Sequence, residues 1–202
     1  MKNLKFTFIL LFSILSLCYS CEKDHLTGKF LLTDEMKAQN PYQGGETLFF
    51  LRNNEDTIIV FAKDRVNNVH EVLEGINTKN YFLLEEENIF LDIDTILHDT
   101  SYFHLKMMPD RKGKTTFSID LFQGNLRTDF SFKLLLSTTT TPCIDSLFVM
   151  NRWVKDVFTQ EHEILDARAY KLYYSTEFGI VRLDFGDGSY WELEKIDWAD
   201  EN

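Results

Sequence analysis

Residues 101–121 read SYFHLKMMPDRKGKTTFSIDL, and this stretch decides the fold class. In two separate runs, apolar side chains alternate with polar ones; the apolar positions are Phe103, Leu105, Met107, Phe117, Ile119 and Leu121. A period of two is typical of a β-strand that turns one face to the core and the other to solvent. One-sided strands in succession predict an antiparallel sheet.

The pattern extends in both directions along the chain. Alternating apolar residues precede and follow the deciding stretch: Ile89, Leu91, Ile93, Phe130, Phe132, Leu134 and Leu136. Continuous apolar runs at 47–51 and 57–62 surround a polar turn and predict a hairpin of more central strands. We therefore expect an all-β fold with one antiparallel domain over residues 47–196, built as a sandwich or a barrel-like meander. Phenylalanine, of which the whole chain has eighteen, would supply most of its core.

Residues 146–165 allow two interpretations. A helix would carry apolar side chains on one face, at Met150, Trp153, Val154, Val157, Phe158, Ile164 and Leu165. Alternatively, residues 146–150 and 153–159 form a hairpin around Asn151-Arg152. The β-branched and aromatic content favours the hairpin.

The hairpin around residues 186–188 has a register that the sequence can select. A two-residue turn would set Leu183 opposite Glu192, so that apolar and charged side chains would face each other. A three-residue loop instead pairs Leu183 with Trp191. That loop needs a residue in the left-handed conformation, and Gly188 provides it. The pattern therefore predicts the three-residue loop.

The first twenty residues differ from the rest of the chain. Lys2 and Lys5 make a short basic start, and residues 6–19 read FTFILLFSILSLCY, an apolar run too short to cross a bilayer as a helix. This combination is typical of a signal peptide. The sequence thus divides into a signal peptide at 1–20, a lipidated N-terminus and tether at 21–46, the β-domain at 47–196 and an acidic tail at 197–202.

Residues 17–21, LCYSC, resemble the lipobox of bacterial lipoproteins, with the small residue Ser20 directly before Cys21. A lipobox usually has an aliphatic residue three positions before the cysteine, where this chain has Cys18. The resemblance implies cleavage before Cys21, a diacylglycerol thioether on its sulfur and an amino terminus acylated with a fatty acid such as palmitate. Two or more acyl chains anchor a protein stably, whereas one chain does not.

Charge and cysteine content exclude two classes of interaction. The formal net charge of −11 repels phosphate backbones, so we expect no nucleic-acid partner. With Cys18 in the signal peptide and Cys21 lipidated, Cys143 has no partner for an internal disulfide. We expect Cys143 to be a small buried apolar residue.

Two short motifs resemble enzyme signatures and carry little weight. Residues 162–166, HEILD, resemble the zinc-protease pattern but have Asp166 in place of the second histidine. Residues 184–186 spell the metal-binding triplet of protein kinases without the other kinase motifs, so a hairpin end is expected there. The sequence predicts no catalytic, cofactor-binding or metal-ligating residue.

Carboxylates concentrate in one part of the chain, at Glu85, Glu86, Glu87, Asp92, Asp94 and Asp99. Paired carboxylates can hydrolyse glycosides or bind calcium. Charges on the solvent face of a one-sided strand are the ordinary alternative. This cluster is the basis of a second functional hypothesis, an envelope hydrolase that uses acidic residues.

Two segments together resemble a protein family. Residues 145–158 read DSLFVMNRWVKDVF, and residues 173–193 read YYSTEFGIVRLDFGDGSYWEL. They are similar to the C-terminal region of small Bacteroidota lipoproteins to which no activity is assigned, except that Trp153 stands where a tyrosine is usual. The resemblance implies a source in that group and an all-β fold, and it brings no catalytic residue.

The resemblance also implies a location and a modification. Residues 22–24 resemble the Lys-plus-acid surface-export signal of such lipoproteins, although His25 stands where a second acid is usual. A periplasm-facing lipoprotein is the alternative. An O-glycosylation motif of Asp, then Ser or Thr, then an aliphatic residue occurs at Thr57, Thr95 and Ser146.

The leading functional expectation combines these observations. The chain would be a lipoprotein of the outer membrane, attached through Cys21, with a non-enzymatic β-domain that binds a protein or glycan partner in the envelope. It would need no cofactor.

Overall fold

The computed structural model describes residues 24–76, 78–94, 101–110, 112–123, 126–136, 141–163 and 168–199. In these ranges no helix is long and apolar enough to cross a membrane. The chain forms a short helix, α1 (Asp34–Lys37), and the strands β1 (His25–Phe30), β2 (Thr47–Arg52), β3 (Asp56–Ala62), β4 (Val66–Leu73), β5 (Asn80–Asp94), β6 (Ser101–Pro109), β7 (Thr115–Gln123), β8 (Leu126–Leu135), β9 (Cys143–Val149), β10 (Arg152–Glu161), β11 (Ala169–Ser175), β12 (Gly179–Phe185) and β13 (Tyr190–Asp197).

The larger of two compact units contains residues 30–70 and 84–202. Its strands are hydrogen-bonded in the order β8-β7-β6-β5-β3-β2-β13-β12-β11-β10-β9. Each neighbouring pair along this path runs antiparallel. The predicted all-β antiparallel fold is confirmed.

The core of the larger unit lies between two groups of strands that belong to the same sheet. The alternating residues Phe103 of β6 and Phe117 of β7 are completely buried. Phe103 meets Trp191 of β13 edge to face at 6.4 Å between ring centroids, and Phe117 meets Tyr174 of β11 at 4.9 Å. Each fully buried phenylalanine contributes roughly 1.5–3 kcal/mol to folding, so these rings stabilise the packing of the two groups of strands on each other.

The C-terminal hairpin has the predicted register. Leu183 lies opposite Trp191, and Arg182 lies opposite Glu192. The amide of Phe185 donates to the carbonyl of Ser189 at 2.9 Å, which leaves a three-residue loop between them. Gly188 in that loop has φ +85°, the left-handed conformation that the loop requires.

The ambiguous segment is a hairpin, and the helix interpretation is wrong. Strands β9 and β10 pair through Phe148 opposite Trp153. The turn is Met150-Asn151, one position earlier than expected from the sequence, and both residues have positive φ (51° and 57°). Such a two-residue turn matches the twist of a tight hairpin.

The smaller unit contains, among the described residues, 24–29 and 71–83. Here β1 and the end of β4 both pair with β5. The amide of His25 donates to the carbonyl of Lys79, and the Thr27 hydroxyl lies 3.0 Å from both the carboxylate of Glu74 and the carbonyl of Tyr81. The region before residue 30 therefore includes an ordered strand.

Residues 31–46, which we call the strap, differ from the predicted polar tether. Tyr42 is completely buried, and Leu32, Asn40 and Glu46 are nearly so. The Glu46 carboxylate accepts hydrogen bonds from the amides of residues 43 and 44, which compensates for its burial. Because the buried polar groups of Asn40, Tyr42 and Glu46 are hydrogen-bonded, this polar segment can pack against the core.

Candidate functional site

The carboxylates that cluster in the sequence are separated by the alternation of β5. Glu85 and Glu87 are buried on the core side of the strand, in line with Ile89 and Leu91. Glu86, Asp92 and Asp94 occupy the opposite face, where Asp92 pairs with Lys63 at 3.0 Å. Asp99 lies outside the described residues. Among the described residues, no group of three or more acidic, histidine or cysteine side chains is arranged to hold a metal ion.

The two inner carboxylates fasten the strap to the sheet. Glu85 accepts hydrogen bonds from Leu32 N at 2.8 Å and from Asn67 Nδ2 at 2.8 Å, and it pairs with Lys37 Nζ at 2.7 Å. Burial opposes ionisation of this carboxyl, but the bonds from Lys37 and the Leu32 amide outweigh burial and lower its pKa. Glu85 is thus held as a carboxylate under the strap.

Glu87 and Arg65 form a second fastening. Their side chains approach to 2.7 Å, and Glu87 is 2% exposed. The guanidinium of Arg65 also donates to the carbonyls of Lys37 at 2.8 Å and Tyr42 at 3.3 Å, both in the strap. A shallow cavity of about 560 Å³ opens above this pair. In its wall Arg65 pairs with Glu87, and Lys37 and Asn67 both bind Glu85, so these side chains hold the strap.

Aromatic rings on the outer face of β5, β6 and β7 are stacked on each other. Phe90 lies 4.5 Å from His104 with an interplanar angle of 6°, and Tyr102 lies 4.7 Å from Phe122 with an angle of 18°. Since the stacked rings come from neighbouring strands, their faces point at each other instead of at solvent. These pairs stabilise the sheet, and they do not form a flat platform for a sugar.

The β9–β10 hairpin carries a different aromatic arrangement, the aromatic corner formed by Phe148 and Trp153. The two rings meet near a right angle (66°) at 5.3 Å. Phe148 is 50% exposed and Trp153 is 67% exposed. A right-angled pair leaves one ring face open, and large exposed aromatic side chains are characteristic of binding surfaces.

A small cavity, the tip cavity, begins at the aromatic corner. It has a volume of about 210 Å³, and its wall includes Leu51, Asn54, Phe148, Asn151, Glu192 and Glu194. The wall therefore combines one aromatic ring, aliphatic surface, two amides and two carboxylates. Three separate parts of the sequence meet here: the β2–β3 turn, the β9–β10 turn and β13.

A hydrogen-bonded network fixes one side of the tip cavity. The guanidinium of Arg182 binds Glu192 at 3.0 Å and lies 4.4 Å above the ring of Tyr190. The Tyr190 hydroxyl in turn accepts a hydrogen bond from Asn54 Nδ2 at 2.8 Å. Glu192 and Asn54 are thus held in place by neighbouring side chains.

Glu194 is differently placed from Glu192. A β-bulge between Leu193 and Lys195 interrupts the ladder with β2 at this residue. The Glu194 side chain is exposed, and it forms no ion pair with another residue in the part of the chain that the structure describes. Its carboxylate is therefore available at the cavity wall.

The other residues that the sequence analysis named as sites are either exposed or outside the described residues. Thr57 at the start of β3 and Ser146 in β9 are exposed, whereas Cys21 and Thr95 lie outside the described residues. Cys143 is exposed, so the expectation of a buried residue is wrong. Partial burial and the nearby Asp156 and Asp145 raise the pKa of its thiol, which disfavours the reactive thiolate.

Neither enzyme-like motif forms an enzyme site in the described region. His162 follows β10, and its Nε2 lies 3.2 Å from the carbonyl of Ser131, while residues 164–167 lie outside the described residues. Asp184 accepts hydrogen bonds from Arg182 at 2.7 Å and from the Tyr173 hydroxyl at 2.9 Å. Burial and the hydrogen bond to Asp184 raise the pKa of Tyr173. This triplet is the end of a hairpin.

The aromatic corner and the tip cavity were not predicted from the sequence. A turn at Asn151-Arg152 would have set Met150 opposite Trp153, whereas the observed turn sets Phe148 opposite it. Asn151 tolerates positive φ but belongs to both candidate turns, so it does not distinguish them. The approach of Asn54 to β13 is a long-range contact that no local pattern encodes.

Comparison with known proteins adds no assignment: no family model, no curated protein and no solved structure matches this chain.

Proposed function

We propose that this protein is a lipid-anchored lipoprotein of the bacterial outer membrane whose β-domain binds a partner in the cell envelope. The observation that carries the binding function is the aromatic corner, where Phe148 and Trp153 are at least half exposed side by side. Burying apolar surface of this kind is worth roughly 25 cal/mol per Å², so a partner that covers both rings gains binding free energy.

The anchor is proposed from the N-terminal sequence. Cys21 follows a basic start, an apolar run and a small residue, in the order that lipoprotein processing uses. Each acyl methylene buried in the bilayer contributes roughly 0.8 kcal/mol, and multiple chains make attachment stable. Growth with a labelled fatty acid tests this proposal. Label should enter the wild-type protein and be absent from Cys21→Ala, which should also leave the membrane fraction.

The binding function is tested by crosslinking in intact cells of the native host. We expect the full-length, tagged protein to give a discrete crosslinked species that Phe148→Ser and Trp153→Ser both remove. Phe90→Ser is the matched control, because Phe90 is also exposed but lies on the stacked face of β5. Crosslinks that persist in both hairpin variants, or that vanish equally in the control, would contradict the proposal.

The membrane face is proposed from residues 22–24, the acid–Lys–acid segment after Cys21. If this segment directs surface export, a protease added to intact cells removes the β-domain. Full protection in intact cells, with digestion after the outer membrane is opened, would instead place the domain in the periplasm.

A further inference from the structure

We infer that the tip cavity binds the ammonium end of a lysine side chain that the protein partner supplies. This inference rests on the binding function proposed above and names the chemistry of its contact. It follows from the size of the cavity, the composition of its wall and the charge around it.

The volume sets an upper limit on the occupant. About 210 Å³ corresponds to about seven water molecules at roughly 30 Å³ each, and it is below the roughly 300–1,000 Å³ of cavities that enclose drug-sized ligands. One amino-acid side chain fits such a space. The exposed ring of Trp153 beside the entrance can then cover the backbone of the segment that carries that side chain.

The wall of the tip cavity has an apolar part and a charged part, which match the alkyl stem and the ammonium group of a lysine side chain. Phe148 and Leu51 offer apolar surface on which an alkyl stem can lie. Glu192 and Glu194 offer carboxylates, and the side-chain oxygen of Asn151 can accept a further hydrogen bond. An ammonium group has three donors that can be shared among these acceptors.

Charge complementarity favours a cation over the alternatives. The chain has a formal net charge of −11, so an anionic group would be repelled by the domain and by both cavity carboxylates. A purely apolar side chain would desolvate Glu194 without giving it a partner, which is costly. An ammonium group both fills the site and pairs with the carboxylate.

The distinction between lysine and arginine follows from Glu192. Its Oε2 is already bound by Nη1 of Arg182 at 3.0 Å. A guanidinium gains most from two parallel bonds to one carboxylate, and binding Glu194 in that way would leave the free oxygen of Glu192 without a partner. The compact ammonium does not need that geometry and can bridge Glu194 and the remaining oxygen of Glu192.

The test titrates the full-length protein in detergent with Nα-acetyl-lysine methylamide and follows the amide NMR signals of residues 148–151 and 192–194, with tryptophan fluorescence as a second readout. We expect saturable binding that weakens with added salt. The Nε-acetylated analogue has the same stem without the charge and should not bind. Loss of one charge-assisted hydrogen bond should make Glu194→Gln weaker by about tenfold.

A matched variant removes the same charge elsewhere: Glu71→Gln changes an exposed carboxylate of β4 that is not part of the cavity wall and should bind like wild type. Equal binding of the acetylated analogue, equal weakening in Glu71→Gln, or preference for glucosamine over the lysine probe would overturn the inference. If the hairpin variants abolish crosslinking while the lysine probe fails to bind, the proposed function stands and this inference is wrong.

Discussion

Tyr42 occupies the space that a side chain at residue 179 would need, and Gly179 leaves that space open. A Cβ built on Gly179 would overlap the phenol oxygen of Tyr42. That oxygen donates to the carbonyl of Phe178 at 3.1 Å and accepts from the amide of Ile180 at 2.9 Å. The side chain of Tyr42 in the strap is therefore packed against and hydrogen-bonded to the beginning of β12, more than a hundred positions away in the chain.

We expect Tyr42→Phe to lower the free energy of unfolding by about 1–3 kcal/mol, because it leaves two buried backbone groups without a partner. Denaturant unfolding measures this change. Tyr190→Phe is the control, since its hydroxyl makes a hydrogen bond at an exposed turn, and it should cost much less. Gly179→Ala should be worse than Tyr42→Phe because the alanine meets the ring and has to adopt φ +75°. Equal stability of all three variants would refute the stabilising role of the hydrogen bonds made by the Tyr42 hydroxyl.

The Arg65–Glu87 pair gives a second stability prediction. Arg65→Ala removes the ion-pair partner of a carboxylate that is 2% exposed, together with three hydrogen bonds to carbonyls of the strap. Breaking a buried pair from one side typically costs about 3–5 kcal/mol. Arg52→Ala breaks an exposed pair with Asp56 and should cost under about 1 kcal/mol. Similar losses in the two variants would mean that burial of Glu87 does not matter.

The pH dependence of the strap follows from Glu85. Its pKa is lowered in the folded protein, so its contribution to stability is complete above the pKa of an unfolded glutamate, near 4.5, and is lost as pH falls through the lower folded value. Glu85→Gln should therefore be less stable than wild type at pH 7, and the difference should shrink below about pH 4.5. Unfolding curves at several pH values measure it. A difference that stays constant down to pH 2 would contradict the ion-pair role.

The sequence predicts what is local in this fold. The pairing of Leu183 with Trp191 depends on a loop of three residues and on the alternation beside it, and both can be read from adjacent positions. The strand assignments succeed for the same reason: alternation of apolar and polar residues indicates which face of each strand is buried.

Contacts between distant segments are what the sequence does not predict. Tyr42 lies in a polar stretch with turn residues. Its burial depends on Gly179, and no residue near Tyr42 in the sequence indicates that contact. Glu85 and Glu87 did carry a usable signal. They have the same parity as Ile89 and Leu91 in β5, so alternation already placed them on the core side. Their partners Lys37 and Arg65 come from other segments, which the pattern of β5 cannot identify.

We expect the native protein to be O-glycosylated at Thr57, at Ser146 or at both. Both residues are exposed and follow an aspartate, and Ser146 lies opposite the exposed Lys155 in the β9–β10 hairpin. A glycan at either site would add bulk and solubility without entering the core. Protein purified from its native host should exceed the mass of the lipidated polypeptide by hexose-sized increments. The double variant Thr57→Ala with Ser146→Ala should lose the increments that these two sites carry. Any increment that remains in it would come from the third motif, at Thr95. Protein made in a host without the modification supplies the reference mass. A native mass equal to that of the lipidated polypeptide would rule the modification out.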